Sequence, residues 1–356
     1  GGQTPTSGNE IQLYSFNGSS LSLAASQDYG LSVFTVNWSP DGRYLAVGGG
    51  NATSGNEIEI YSFNGSSLTS IASLNLGTEI GVPSLNWSPD GRYLAFGLSS
   101  SPCDDIYIYS FNGLSLSFVA SQEYGDLRTL NWSPDSRYLA VGGFSPTSEK
   151  EIQLYSFTNN SLTLVTSFEY GTDSSSGVFS LVWSPDGQFL ASGGCFASNG
   201  NDFQVYKFSG SYLSLVASTD PTKTSGDVES VNWSPDGRYL ATCVYLPTSE
   251  KEIQIYIFIG SELSLITEQR YGDLPYTLNW SPDGKYLAVG GNGPAAGHNE
   301  IEVYFLEYGP ETQTQALSNS ILFGNSALGS SYDLNVRGLA GAQIEIDGLV
   351  NYNNVS

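Results

Sequence analysis

Apolar and polar residues alternate with a period of two through "SVFTVNW" (residues 32–38), and the alternation breaks off at "SPDG" (residues 39–42). That pattern predicts a half-buried β-strand running into a tight turn. In the turn, proline presets φ, aspartate suits the third position and glycine takes the left-handed conformation. "RYLAVGG" (residues 43–49) is the second strand and ends in a glycine-rich loop. "EIQLYSF" (residues 10–16) represents the third, and "SLSLAAS" (residues 20–26) the fourth. Asn-Gly pairs at Asn17, Asn64 and Asn112 stand between the third and fourth strands, and that dipeptide predicts a two-residue hairpin loop. No segment carries a 3.6-residue apolar period long enough for a helix.

This four-strand pattern recurs. The six tryptophans, Trp38, Trp87, Trp132, Trp183, Trp233 and Trp280, are spaced 49, 45, 51, 50 and 47 residues apart, each in a variant of "NWSPDGRYLAVGG". The "EIQLYSF" element recurs between them, with seven copies against six of the first. A period of this length built from four antiparallel strands predicts a β-propeller. Gly1-Gly2 aligns with Gly142-Gly143, the end of a second strand. Residues 1–26 therefore supply the third and fourth strands of a half-blade. Counting it, the expectation is a seven-bladed, all-β propeller over residues 1–308, followed by a β-rich tail at 309–356. The missing strand pair would come from upstream sequence, from the tail or from another molecule, because an open stack of sheets leaves unpaired edges.

The repeated "WSPDGRYLAVGG" followed by "EIQIYIF" resembles the WD-repeat propellers and, more closely, the repeats of the periplasmic Tol-system propeller. The resemblance covers about residues 1–308 and implies the fold; propellers host unrelated activities, so it implies no single function. The Trp-Asp pair that ends the third strand in WD repeats is replaced by Tyr14, Tyr61, Tyr109, Tyr155, Tyr206, Tyr256 and Tyr304. The family's Gly-His pair is absent, with "YG" at Tyr29, Tyr124, Tyr170 and Tyr271 instead. The His–Ser–Trp–Asp network of that family is thus not carried over.

Composition narrows the partners. Of 356 residues, 35 are acidic and 12 basic, a formal net charge of −23. That excess argues against nucleic acid and anionic membranes, which need clustered lysine and arginine. No apolar run is long enough for a membrane-spanning helix. A polar surface built from Ser, Thr, Asn and Gly points to an extracellular or cell-surface setting, with the periplasm as the alternative. Cys103, Cys195 and Cys243 lack CxxC spacing, and Cys243 stands where sister repeats carry glycine, so it reads as a small buried residue.

A hydroxyl stands three positions before each tryptophan, at Thr35, Ser84, Thr129, Ser180, Ser230 and Thr277. A feature identical in every repeat reads as structural, as do the "SPDG" aspartates. Four positions before the tryptophan the chemistry varies: Phe34, Pro83, Arg128, Phe179, Glu229 and Tyr276. Variation on a uniform scaffold marks a binding surface, and Arg128, Glu229 and Tyr276, together with Arg270, are the candidate binding residues. The lone His298 has no nucleophile motif beside it. Asp104-Asp105 lacks calcium-loop spacing. Asn17, Asn51, Asn64, Asn159 and Asn354 open glycosylation sequons. With no catalytic constellation, cofactor motif or metal site, the sequence predicts a non-enzymatic platform for protein partners. The alternative is an enzyme or glycan-binding module acting at the channel mouth. The tail reads as strands at about 321–324, 332–338 and 342–352. It would act as a clasp on the half-blade, or as a joint to copies of the same chain.

Overall fold

The computed structural model describes residues 10–30, 32–50, 55–77, 81–98, 106–144, 150–171, 175–222, 226–245, 251–271, 274–291, 301–306, 323–327 and 334–337. Among them every regular element is a strand. The half-blade is a two-stranded sheet of β1 (Ile11–Phe16) and β2 (Leu21–Gln27). Next come the four-stranded sheets β3 (Ser32–Trp38), β4 (Tyr44–Gly50), β5 (Ile58–Phe63), β6 (Leu68–Leu74) and β7 (Ser84–Trp87), β8 (Tyr93–Gly97), β9 (Ile106–Phe111), β10 (Leu116–Gln122). The following two repeats are β11 (Asp126–Trp132), β12 (Tyr138–Phe144), β13 (Ile152–Thr158), β14 (Ser161–Phe168) and β15 (Gly177–Trp183), β16 (Phe189–Cys195), β17 (Phe203–Phe208), β18 (Leu213–Thr219). A single bridge between Phe144 and Gly177 joins these two into one continuous sheet. The sheet β19 (Asp227–Trp233), β20 (Tyr239–Tyr245), β21 (Ile253–Phe258), β22 (Leu263–Gln269) precedes the last, β23 (Pro275–Trp280), β24 (Tyr286–Gly291), β25 (Ile301–Leu306).

Within each repeat, neighbouring strands pair antiparallel in chain order. The first strands β3, β7, β11, β15, β19 and β23 pack side by side in succession, which makes them the innermost strands of a propeller. Apolar residues fill the spaces between sheets. One such layer joins Ile106 and Val141 to Tyr155, and another joins Ile152 and Leu154 to Val178 and Tyr206.

The turn between first and second strands is built the same way each time. Ser39 Oγ donates to Asp41 Oδ1 at 2.6 Å and accepts from the Tyr44 N–H at 2.9 Å. Asp41 Oδ1 also accepts from the Arg43 N–H at 3.1 Å, and Gly42 N–H closes the turn on the Ser39 carbonyl at 2.8 Å. The "SPDG" aspartates are spent inside their turns. The Asn-Gly loops differ from expectation: Asn17 lies in a four-residue connection, and its Oδ1 accepts from the N–H groups of Ser19 and Ser20. Side-chain capping of that kind competes well with the tighter turn. The two-residue loop occurs instead at Asn159-Asn160, where both φ are positive, 53° and 60°.

The tail contributes β26 (Phe323–Ala327) and β27 (Leu334–Arg337). β26 pairs antiparallel with β25, and β27 with β26. The last sheet thus gains its fourth and fifth strands from the tail of the same chain, whereas among the described residues β1 pairs with β2 alone. The expected strand at 342–352 lies outside the described residues, as do Cys103, Asp104-Asp105, His298, Asn51 and Asn354.

Candidate functional site at the channel mouth

The innermost strands enter at one rim of the propeller axis, where the second strands end and the third begin. Three of their hydroxyls act between sheets. Ser84 Oγ accepts from Leu130 N–H at 3.1 Å, Thr129 Oγ1 from Leu181 N–H at 3.3 Å, and Ser180 Oγ from Val231 N–H at 3.1 Å. The tryptophan indoles add a second tie: Trp87 Nε1 donates to Asn37 O, Trp233 Nε1 to Val182 O and Trp280 Nε1 to Asn232 O, all at 3.2–3.3 Å. Both features hold the ring of first strands together.

The variable position four before the tryptophan has a geometric identity that its sequence does not announce. In β3, β11, β15, β19 and β23 the register with the second strand shifts at this residue. Phe34, Arg128, Phe179, Glu229 and Tyr276 are each the extra residue of a β-bulge. A bulge bends the strand and re-aims the unpaired side chain. Pro83 is the exception and precedes its strand β7. The glycine pair ending the second strand makes room for this arrangement. A Cβ on Gly143 would stand 2.1 Å from the Asp126 carbonyl oxygen, and one on Gly194 would stand 2.0 Å from the Gly177 oxygen.

Phe34, Arg128 and Tyr276 are exposed, and Phe179 and Glu229 are half-buried. Arg128 pairs with Asp126 at 3.3 Å and lies over the Phe144 ring at 5.1 Å; Phe144 in turn meets Phe179 at 5.4 Å. Phe196 and Tyr245, also exposed, follow or end the second strands β16 and β20 at the same rim. Burial, reinforced by the neighbouring Asp227 charge, pushes the Glu229 carboxyl up to about 7. Burial raises Asp227 and Asp202 as well, and pushes the Cys195 thiol up to about 12. Cys195 and Cys243 are both buried free thiols. Among the described residues no group of three or more His, Cys, Asp or Glu is placed to hold a metal ion.

Of the residues singled out in the sequence, Arg128, Glu229 and Tyr276 occupy equivalent bulges, so the fold brings them to one rim. Arg270 stands apart. It is exposed just after β22, and its carbonyl accepts from the Tyr304 hydroxyl at 3.5 Å. Sequence reasoning missed Phe144, the aromatic partner of Arg128 and Phe179, and the exposed Phe196. Both lie at the end of, or just past, a second strand, where the repeat otherwise places glycine-rich loop.

Bulged innermost strands, turn-capped "SPDG" hairpins and four-stranded sheets define a β-propeller with WD-repeat-like units. The family described as the ELP1 first N-terminal beta-propeller matches residues 20–186, and the WD domain, G-beta repeat matches residues 213–256. No curated protein matches the chain. Among solved structures, a chain of the mitotic checkpoint complex superposes with TM-score 0.60 at 21% identity, covering 79% of this chain and 81% of its own length. A putative 6-phosphogluconolactonase from Bacteroides fragilis gives 0.64 at 16% identity, with 86% and 89% coverage. The periplasmic gluconolactonase of Pseudomonas aeruginosa gives 0.62 at 18%, with 94% and 98%. At these identities the likeness is one of fold. It nevertheless corrects the expectation that the chain is not an enzyme. Two of these propellers are named as lactonases, so a uniform repeat scaffold without a recognisable catalytic motif does not exclude catalysis.

Proposed function

We propose that the channel mouth is the working surface of a propeller platform, and that it recognises a protein partner through a basic segment. The observation that carries this reading is the set of bulges: in five of the six repeats the same backbone device presents the variable residue, Phe34, Arg128, Phe179, Glu229 or Tyr276. Exposed aromatics supply stacking faces for a guanidinium or ammonium group. Asp126, Asp227 and Glu229 supply opposite charge, and the net charge of −23 favours encounter with cations. Arg128, Glu229 and Tyr276 are the assigned contacts, with Arg270 a peripheral one.

The platform is read as a ring of seven blade positions over residues 1–308, with residues 309–356 as a clasp on the last. Its support is the contact between Phe16 of the half-blade and Tyr286 of the last repeat, ring centroids 4.8 Å apart. The same tyrosine–phenylalanine contact joins successive sheets elsewhere, as at Tyr44–Phe111 and Tyr93–Phe157. The proposed setting is extracellular or at the cell surface. The periplasmic gluconolactonase among the similar structures fits the periplasmic alternative.

Binding of arginine- and lysine-rich peptides, compared with acidic peptides of equal length, tests the reading. Basic peptides should bind in a salt-sensitive way and weaken about tenfold on Glu229→Ala or Tyr276→Ala, the loss of roughly 1.4 kcal/mol of contact. Equal binding of acidic and basic peptides overturns it. One observation favours a second reading, hydrolysis at the mouth: a glutamate whose carboxyl sits near 7 is poised for proton transfer. Turnover of a lactone panel that falls on Glu229→Gln would establish it.

A further inference from the structure

The described half-blade leaves a cleft of definite shape. Among the described residues β1 pairs with β2 on one edge and with no strand on the other. On the wall facing it, Trp38 is 39% exposed, whereas Trp87, Trp132, Trp183, Trp233 and Trp280 are 3%, 3%, 5%, 4% and 7% exposed. Val36 is 44% exposed, against 3% for Leu85, Leu130, Leu181 and Leu278 and 1% for Val231 at the same position. Tyr14 on β1 is exposed, while Tyr61, Tyr155, Tyr206, Tyr256 and Tyr304 are buried and Tyr109 is half-buried. Everywhere else these residues are covered by the first and second strands of the preceding repeat or of their own sheet.

We propose that this cleft is an acceptor for one more β-hairpin of the chain's own repeat type, bound by strand addition. The occupant is a polypeptide segment reading hydroxyl-x-Asn-Trp-Ser-Pro-Asp-Gly-x-Tyr-Leu-Ala-Val-Gly-Gly. None of the six hairpins described above is free to supply it, because each is paired within its own sheet. The inference rests on the seven-position ring proposed above.

The repeats specify how it docks. The pairing of β4 with β5 sets Tyr44 opposite Ser62, Leu45 opposite Tyr61, Ala46 opposite Ile60, Val47 opposite Glu59 and Gly48 opposite Ile58. Transferred to β1, the incoming Tyr-Leu-Ala-Val-Gly lies opposite Ser15, Tyr14, Leu13, Gln12 and Ile11. The residue before the incoming tryptophan offers its carbonyl to Trp38 Nε1, as Asn37 does to Trp87. The incoming hydroxyl accepts from Val36 N–H, as Ser84 does from Leu130. Thr277 Oγ1 accepts from the occupant on the opposite side. The apolar residues Val36 and Trp38 are covered in the same step, which supplies the driving force.

A fluorescent peptide with the sequence of residues 32–50 tests this, read by anisotropy and by amide hydrogen exchange. The expected result is saturable binding with new protection confined to β1 and β3, weakened at least about tenfold by tryptophan-to-alanine in the peptide. Val36→Lys in the protein, at an exposed position and hence compatible with folding, should weaken binding equally. Absence of binding to the folded protein overturns the proposal, as does binding indifferent to Val36→Lys. Protection of β1 in the peptide-free protein with concentration-dependent dimers also overturns it, since a second copy would then fill the cleft. Small-angle scattering of the peptide-free protein separates the two readings. An open arc refutes the seven-position ring itself, whereas a closed ring that ignores the peptide refutes the acceptor alone.

Discussion

The Tyr29 hydroxyl donates to the backbone carbonyl of Glu57 at 2.7 Å, tying the corner that leaves the half-blade to the third strand of the next sheet. The tie is relayed. Glu10 Oε2 accepts from Tyr29 N–H at 2.9 Å and Gly30 N–H at 3.3 Å, fixing that corner to its own third strand. Tyr124 donates to the Glu151 carbonyl at 2.6 Å, Glu151 Oε2 accepts from Tyr170 N–H at 2.8 Å, and Tyr170 donates to the Asp202 carbonyl at 2.7 Å. Tyrosine and an acidic residue thus tie each corner to its own sheet and to the next. Burial opposes ionisation of Glu10, but the backbone N–H donors prevail and hold its carboxyl below the usual glutamate value.

Removing one such tie leaves a carbonyl between two sheets one donor short. Tyr124→Phe should destabilise the protein by about 1–3 kcal/mol with little change in fold. Denaturant unfolding checks it; an unchanged midpoint would show that the relay is ornamental.

Ser136 stands where other turns have glycine and adopts φ 60°. Its Oγ also accepts from Asp90 N–H at 3.1 Å, a bond to the neighbouring turn. Glycine would relieve roughly 1 kcal/mol of left-handed strain and lose a bond worth about the same. Ser136→Gly should therefore be close to neutral in melting temperature, and Ser136→Ala, which keeps the strain and loses the bond, destabilising.

Gly143 faces backbone at the bulge rather than a movable side chain. Gly143→Ala drives its Cβ against the Asp126 carbonyl and should cost about 3 kcal/mol or more. Gly187→Ala is the control: its Cβ would meet only Pro134 at 3.6 Å, so the φ of 69° alone would cost about 1 kcal/mol. Similar losses in the two variants would argue against the close approach.

Glu229 ionises near 7 in the folded chain, above its ordinary value of 4.5. The folded state holds this proton more tightly than the unfolded state does. The resulting stability is complete below the unfolded value and is lost as pH rises through about 7. Glu229→Gln should thus melt roughly 2–4 °C above the parent at about pH 8.5 and gain less in acid. A gain independent of pH would mean that Glu229 is not held near 7.

Period-two alternation, the Trp-to-Trp spacing and the "SPDG" turn make the strands, the repeat and the propeller legible in the sequence, because each is a local preference repeated many times. The glycine pair "GG" was legible as a loop, yet its reason, the close approach of Ser32, Asp126, Gly177 and Leu274 carbonyls, is not a local one. The tyrosine–acid relay was also written in the chain, as "YG" and as the acid before each third strand. It joins residues up to 32 positions apart, and spacing alone does not reveal which of them meet.

The sequence by itself determined that this chain repeats a four-stranded unit, since strand and turn are decided by side-chain period and φ preference within a few residues. Only the tertiary structure decided that Phe34, Arg128, Phe179, Glu229 and Tyr276 are bulge residues, that the tail strands pair with β25, and that Trp38 and Val36 stand uncovered. Each of these depends on which edge a strand finds and what lies across it. Backbone hydrogen bonding leaves that choice open to any strand, and packing between repeats settles it.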